Sequence, residues 1–76
     1  MILFEPQESL NRAIIKLKDN RAYYSLMLLI DVLSEDNDMT YLEALEYIEY
    51  NMQNQGYENW PIIEDDISLK EETDEE

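Results

Sequence analysis

Cysteine and histidine are both missing from the 76 residues, and glycine occurs once. Their absence removes disulfides, thiolate chemistry, the usual zinc ligands and the one side chain that titrates freely near neutral pH. The redox compartment is left open by the same absence. A single glycine rules out a glycine-rich phosphate cradle. One glycine and two prolines also favour helices over a turn-rich β architecture. The longest wholly apolar run, Leu26 to Ile30, falls far short of the ~20 residues that span a bilayer. Met1-Ile2-Leu3-Phe4 runs straight into Glu5-Pro6, with neither the basic start nor the apolar core of a secretory signal. The expected location is the cytoplasm.

Positive charge is scarce as well. Five basic residues stand against 19 acidic ones, a net charge of −14. Such a chain is repelled by nucleic acid and by anionic lipid and attracted to basic surfaces. Direct DNA, RNA or membrane binding is therefore not expected. The charges are also segregated: Arg12, Lys16, Lys18 and Arg21 are the only bases before Lys70, whereas the span from Asp31 to Glu58 holds eight acids and no base.

A chain this short makes one small domain with a modest core, and its 45% hydrophobic content is that of a globular protein. The spacing predicts a mainly α fold, a compact three-helix domain over residues 1–63. Pro6 suits the first helical position, and Leu10, Ala13, Ile14 and Leu17 recur at helical spacing up to a break at Asp19-Asn20. A second helix is expected from about Arg21 to Ser34, with Ala22, Leu26, Leu29, Ile30 and Leu33 on one face. Met27, Leu28 and Val32 lie outside that face and form the candidate surface for a homodimer, unless a terminal segment packs over them. Residues 34–38 read as a polar connection. Thr40 opens the third helix, because Glu43 three residues on completes a capping box. Gly56 is expected to close that helical region, and Trp60-Pro61-Ile62-Ile63 reads as an extended segment that pairs with Met1 to Phe4 or covers the helices. Residues 64–76 are expected to form a disordered acidic tail, leaving 11 acids and 4 bases in the folded part.

In the third helix Tyr41, Ala44, Leu45, Ile48 and Met52 form the expected core stripe, with Glu43 and Glu46 opposite and Glu49 on a flank. Residues three or four apart on a helix lie ~5–6 Å apart at Cβ, so like charges there repel one another. A comparable spacing separates the phosphates of a polynucleotide strand, the charge array that basic grooves recognise. Glu35, Asp36, Asp38, Glu43, Glu46 and Glu49 are therefore the candidate phosphate substitutes, and Tyr47, Tyr50, Tyr57 and Trp60 the candidate aromatic contacts. A solvated acidic face, with the tyrosines lying over helix seams, is the bland alternative.

No catalytic constellation is present. Ser9, Ser25, Ser34 and Ser68 have no histidine base, and some sixty folded residues leave little room for a cleft between paired carboxylates. No enzyme activity, metal or cofactor is expected. Asp36-Asn37-Asp38 starts like an EF-hand loop, but Tyr41 and Tyr47 occupy the sixth and twelfth places, where glycine and glutamate are required. The second and third helices superficially outline a helix-turn-helix, yet the presumed recognition helix carries only negative charge.

The segment from Tyr41 to Asn51, followed by Gly56-Tyr57 and Pro61-Ile62-Ile63, resembles small uncharacterised proteins encoded by bacteriophages and prophages. These share a Y-x-E-A-[IL]-E-Y-I-E-Y-N core and a later proline-aliphatic segment. The resemblance implies an infected bacterial cytoplasm as the setting, and small acidic phage proteins are often inhibitors of host factors. Added to the charge and helix geometry, it makes a DNA-mimic inhibitor the leading expectation. The partner would be a basic host protein: an HU-type nucleoid protein, RNA polymerase or one of its factors, a restriction or CRISPR effector, or a repair glycosylase. The alternatives are a generic helical protein-protein interaction module without mimicry, homodimeric in one form, and a self-assembling structural protein.

Overall fold

Two positive φ angles decide the first half of the chain. Asp19 (φ 54°) and Asn20 (φ 62°) both sit in the left-handed region, which is the signature of a two-residue type I′ hairpin turn. Strand β1 (Ile14–Lys18) therefore folds back on β2 (Arg21–Ser25), with Lys18 opposite Arg21 and Ile14 opposite Tyr24. A bulge between Ile14 and Lys16 interrupts the pairing. The computed structural model describes residues 1–54 and 56–67. Within them the order is a short helix α1 (Gln7–Leu10), a 3-10 turn (Asn11–Ala13), β1, β2, helix α2 (Leu26–Asn37), helix α3 (Tyr41–Asn51) and strand β3 (Ile62–Glu64).

The protein is thus α+β, and the mainly α three-helix expectation is overturned by a three-stranded sheet in the order β1-β2-β3. The expected first helix ends at Leu10, because Ile14 and Ile15 are β-branched and the Asp-Asn pair closes a hairpin rather than ending a helix. The expected second helix starts five residues late, at Leu26. Ser25 stands before it in extended conformation and its hydroxyl accepts from the Leu28 amide at 3.1 Å, a helix N-cap. Its far end runs through most of the expected polar connection to Asn37, where Asp38 at φ 56° takes the left-handed cap position. The third helix starts as expected, with its capping box closed by Glu43 N–H to Thr40 Oγ1 at 3.2 Å and Thr40 N–H to Glu43 Oε1 at 2.9 Å, but it ends at Asn51, before the expected close at Gly56.

The Trp60 to Ile63 segment is extended, but its partner is neither Met1–Phe4 nor a helix surface. Ile62, Ile63 and Glu64 pair in parallel with Tyr23, Tyr24 and Ser25, so α2 and α3 form the crossover between β2 and β3. Glu64 and Asp66 belong to this ordered ensemble rather than to a tail that begins at residue 64. The rest of that expected tail, residues 68–76, lies outside the described residues.

The core is where β2 meets the helices. Ala22 and Tyr24 from the strand pack with Phe4, Leu10, Ala13, Leu29, Ile30, Val32, Leu33, Ala44, Ile48 and Met52. Tyr24 is the centre of this assembly: its side chain is fully buried and its hydroxyl accepts the Phe4 amide at 3.0 Å. Burial holds the Tyr24 phenol above its ordinary pKa; the Phe4 hydrogen bond opposes that shift, and the negative Glu5 adds to it. Phe4 lies 4.6 Å from the Tyr24 ring and 5.8 Å, edge-on, from Trp60, whose indole N–H donates to the Met52 carbonyl at 2.9 Å. Trp60 is thus bonded to the close of α3 and carries Phe4 against it through ring contact.

Candidate functional site

At about 100° per residue, Leu42, Glu43, Glu46, Glu49 and Tyr50 share one exposed arc of α3, while Tyr41 and Asn51, at the two ends of the helix, are exposed outside it. The opposite side is buried through Ala44, Ile48 and Met52, with Leu45 half-buried beside them. Packing of α3 on α2 fixes which arc faces outward. Tyr50 is 81% exposed and Leu42 66%, so the acidic arc carries two large apolar surfaces. Among the described residues Glu46 and Glu49 have no basic partner, and Glu43 is engaged only with its own helix cap.

The remaining sequence-predicted acids are placed differently. Glu35 and Asp36, at the end of α2, converge on Arg12 at 3.7 and 2.7 Å. A hydrogen bond from Ser9, then that from Arg12, holds the Asp36 carboxyl below the usual carboxylate range. These two acids are therefore partly neutralised within the chain. Asp38 caps α2 and is exposed. The array accordingly reduces to the three α3 glutamates and Asp38.

Of the aromatic candidates, Tyr50 is the one that stands clear. Tyr47 is half-buried against the core, so it fills a seam rather than facing outward. Tyr57 is exposed but stacks on Trp60 at 5.6 Å, and Trp60 is anchored to Met52. Tyr41, expected in the core stripe, is half exposed at the first position of α3. The candidate dimer surface is not continuous: Val32 is 5% exposed and belongs to the core, Met27 is half-buried, and Leu28 alone is open.

The bases collect elsewhere. Lys16 and Lys18 lie on β1, Arg21 at the start of β2, and Arg12 on the turn before the hairpin. Lys16 lies 4.7 Å over the Tyr23 ring and 3.9 Å from Glu64, while Arg21 donates to the Glu58 carbonyl at 2.8 Å. The sheet hairpin is thus a cationic element in an anionic protein.

Two features were missed by sequence reasoning. A groove of about 600 Å³ runs between α3 and the chain from Trp60 to Ile67, with Leu45, Ile48 and Glu49 on one wall and Ile62, Ile63 and Ile67 on the other. Asp66, read as tail, reaches back to the start of α2: its carboxylate accepts the Ser25 hydroxyl and, at 3.0 Å, the Met27 amide. Burial alone would raise the Asp66 carboxyl, but those hydrogen bonds outweigh it and hold the group below its ordinary value. The serine ahead of the Leu-rich run was a readable signal for the cap; nothing local marks Asp66 as its partner.

Among the described residues no group of three or more carboxylates is placed to hold a metal ion, and no helix is long and apolar enough to cross a membrane. Compared with protein families, curated proteins and solved structures, the chain matches none.

Proposed function

We propose that the protein is an acidic inhibitor that occupies the nucleic-acid-binding surface of a basic partner, using the outward arc of α3. The observation that carries this reading is the run of Glu43, Glu46 and Glu49 on one rigid helix face, with no base paired to it among the described residues and with exposed Leu42 and Tyr50 beside it. Like charges at helical spacing are mutually unfavourable, and a cationic groove relieves that repulsion. Tyr50 and Leu42 supply the desolvated contact area that converts an encounter into a complex. The resemblance to small phage-encoded proteins directs the reading to a host factor in an infected bacterium.

The test is a salt titration combined with competition. The chain, immobilised and presented to a purified HU-type nucleoid protein, RNA polymerase, a CRISPR effector and a repair glycosylase, is expected to hold one of them at low salt. That complex should weaken steeply as salt rises and be displaced by duplex DNA. Replacing Glu43, Glu46 and Glu49 together by glutamine should keep the fold and lower affinity about tenfold or more at low salt. Salt-insensitive binding, or an unchanged affinity of the triple variant, overturns the reading.

A further inference from the structure

The three-stranded sheet has two edges, and they are treated differently. The β1 edge is interrupted by the bulge after Ile14 and carries Lys16 and Lys18, devices that discourage the addition of another strand. The β3 edge has neither. Among the described residues Ile62, Ile63 and Glu64 pair with β2 alone. Alternate residues of a strand turn their amide and carbonyl groups to opposite edges, so β3 directs backbone groups outward. Those groups have no hydrogen-bond partner among the described residues.

That open edge lies in the groove. Successive side chains of a strand point to opposite faces of the sheet, and both Ile62 and Ile63 line this groove, which brings it to the edge of β3. Across it stands α3, presenting Leu45 and Ile48 low in the groove and Glu49 at its rim. A strand edge and a carboxylate that have no partner among the described residues, together with an apolar wall, suit an extended peptide: ladder hydrogen bonds, a charge that sets its composition and side-chain contact.

We propose that this groove binds an extended, apolar segment of a partner protein as a fourth strand on β3, with a lysine or arginine of that segment set against Glu49. A second copy of this chain is a poor occupant, since each copy carries a charge of −14 and like-charged proteins repel. Glu49 is shared with the acidic arc of α3, but the β3 edge and the Leu45 and Ile48 wall are not, so the loss of ladder hydrogen bonds tests this site separately from the inhibitor reading.

The full-length chain, labelled with 15N, is titrated with a capped hexapeptide of alternating lysine and valine. Its glutamate-valine counterpart and a version with N-methylated valines serve as controls. Amide shifts are expected at Ile62 to Glu64 and along Leu45 to Met52, with hydrogen exchange slowed on β3. Removing the ladder donors by N-methylation should cost about tenfold in affinity, the acidic peptide should not bind, and Glu49→Lys should weaken the lysine peptide about fivefold. Equal binding of the N-methylated peptide, with shifts confined to Glu43, Glu46 and Tyr50, would mean charge attraction alone and overturn the proposal. So would a sedimenting dimer in which the β3 amides are protected. If those amides already exchange slowly in the free chain and quicken in Leu69→Ser, the chain's own C-terminal residues fill the groove, and the proposal fails.

Discussion

Asp66 shows how one side chain can decide whether a segment belongs to a fold. Its carboxylate joins the residues after β3 to the first turn of α2, through the Ser25 hydroxyl and the Met27 amide, at the helix end where the backbone amides favour negative charge. Asp66→Asn keeps the shape but gives up the charge-assisted bonds, and should lower stability by about 1 kcal/mol near neutral pH, read from denaturant midpoints. The pH dependence follows from the lowered carboxyl. A group whose folded pKa is depressed stabilises the fold above its unfolded value, near 3.8 here, and that contribution is lost as pH falls through the folded value. The gap between parent and Asp66→Asn should therefore be constant from neutrality to about pH 5 and close below about pH 4. A gap that persists undiminished in acid would mean that the charge on Asp66 is not what the cap uses.

Tyr24 sets a second residue-scale expectation. Its hydroxyl is the acceptor for the buried Phe4 amide, so Tyr24→Phe leaves that N–H without a partner while changing little else in the core. A loss of about 1–3 kcal/mol is expected, the usual consequence of orphaning a buried donor. A chemical denaturation curve measures it directly. Neither role was legible beforehand, because each joins residues that are 20 or more positions apart.

At the scale of elements, legibility followed locality. The start of α3 and most of its buried face could be read from Thr40-x-x-Glu43 and its apolar stripe, since the cap and the periodicity lie within one segment, though Tyr41 proved exposed and the helix ended at Asn51 rather than near Gly56. The hairpin could not be read, because Leu10, Ala13, Ile14 and Leu17 also satisfy a helical repeat and periodicity alone does not separate short apolar runs. The turn chemistry was the better guide. Asp19 and Asn20 tolerate the left-handed region that a type I′ turn demands, whereas glycine takes it without strain. Asn20→Gly, at φ 62°, should thus stabilise the protein by a few tenths of a kcal/mol and raise its melting temperature slightly; a Val at the same position should lower it. The extended reading of Trp60 to Ile63 was sound as far as it went. Its parallel pairing with β2 depends on where α2 and α3 deliver the chain, which no local pattern encodes. The groove shares that origin, since α3 forms one wall and the returning strand the other.

At the scale of the whole molecule, the separation of charge is the property that bears most on function. The described bases sit on and just before the hairpin, and the α3 acids are remote from them in sequence and on a different element. Arg12 spends its charge on Glu35 and Asp36, which removes those acids from any array offered to a partner. On the proposed reading a basic surface would be drawn to the helices and repelled by Lys16 and Lys18, so the hairpin would orient the encounter as well as the helix attract it. Lys18 is exposed, and no ion pair engages it among the described residues. Lys18→Glu should raise the association rate for a basic partner about two- to threefold at low ionic strength and leave the dissociation rate alone. The gain should vanish near 1 M salt, where screening reaches only ~3 Å. Stopped-flow association at several salt concentrations would show it. A change in dissociation rate instead would place the hairpin inside the contact surface, and the α3 arc would then not be the side that docks.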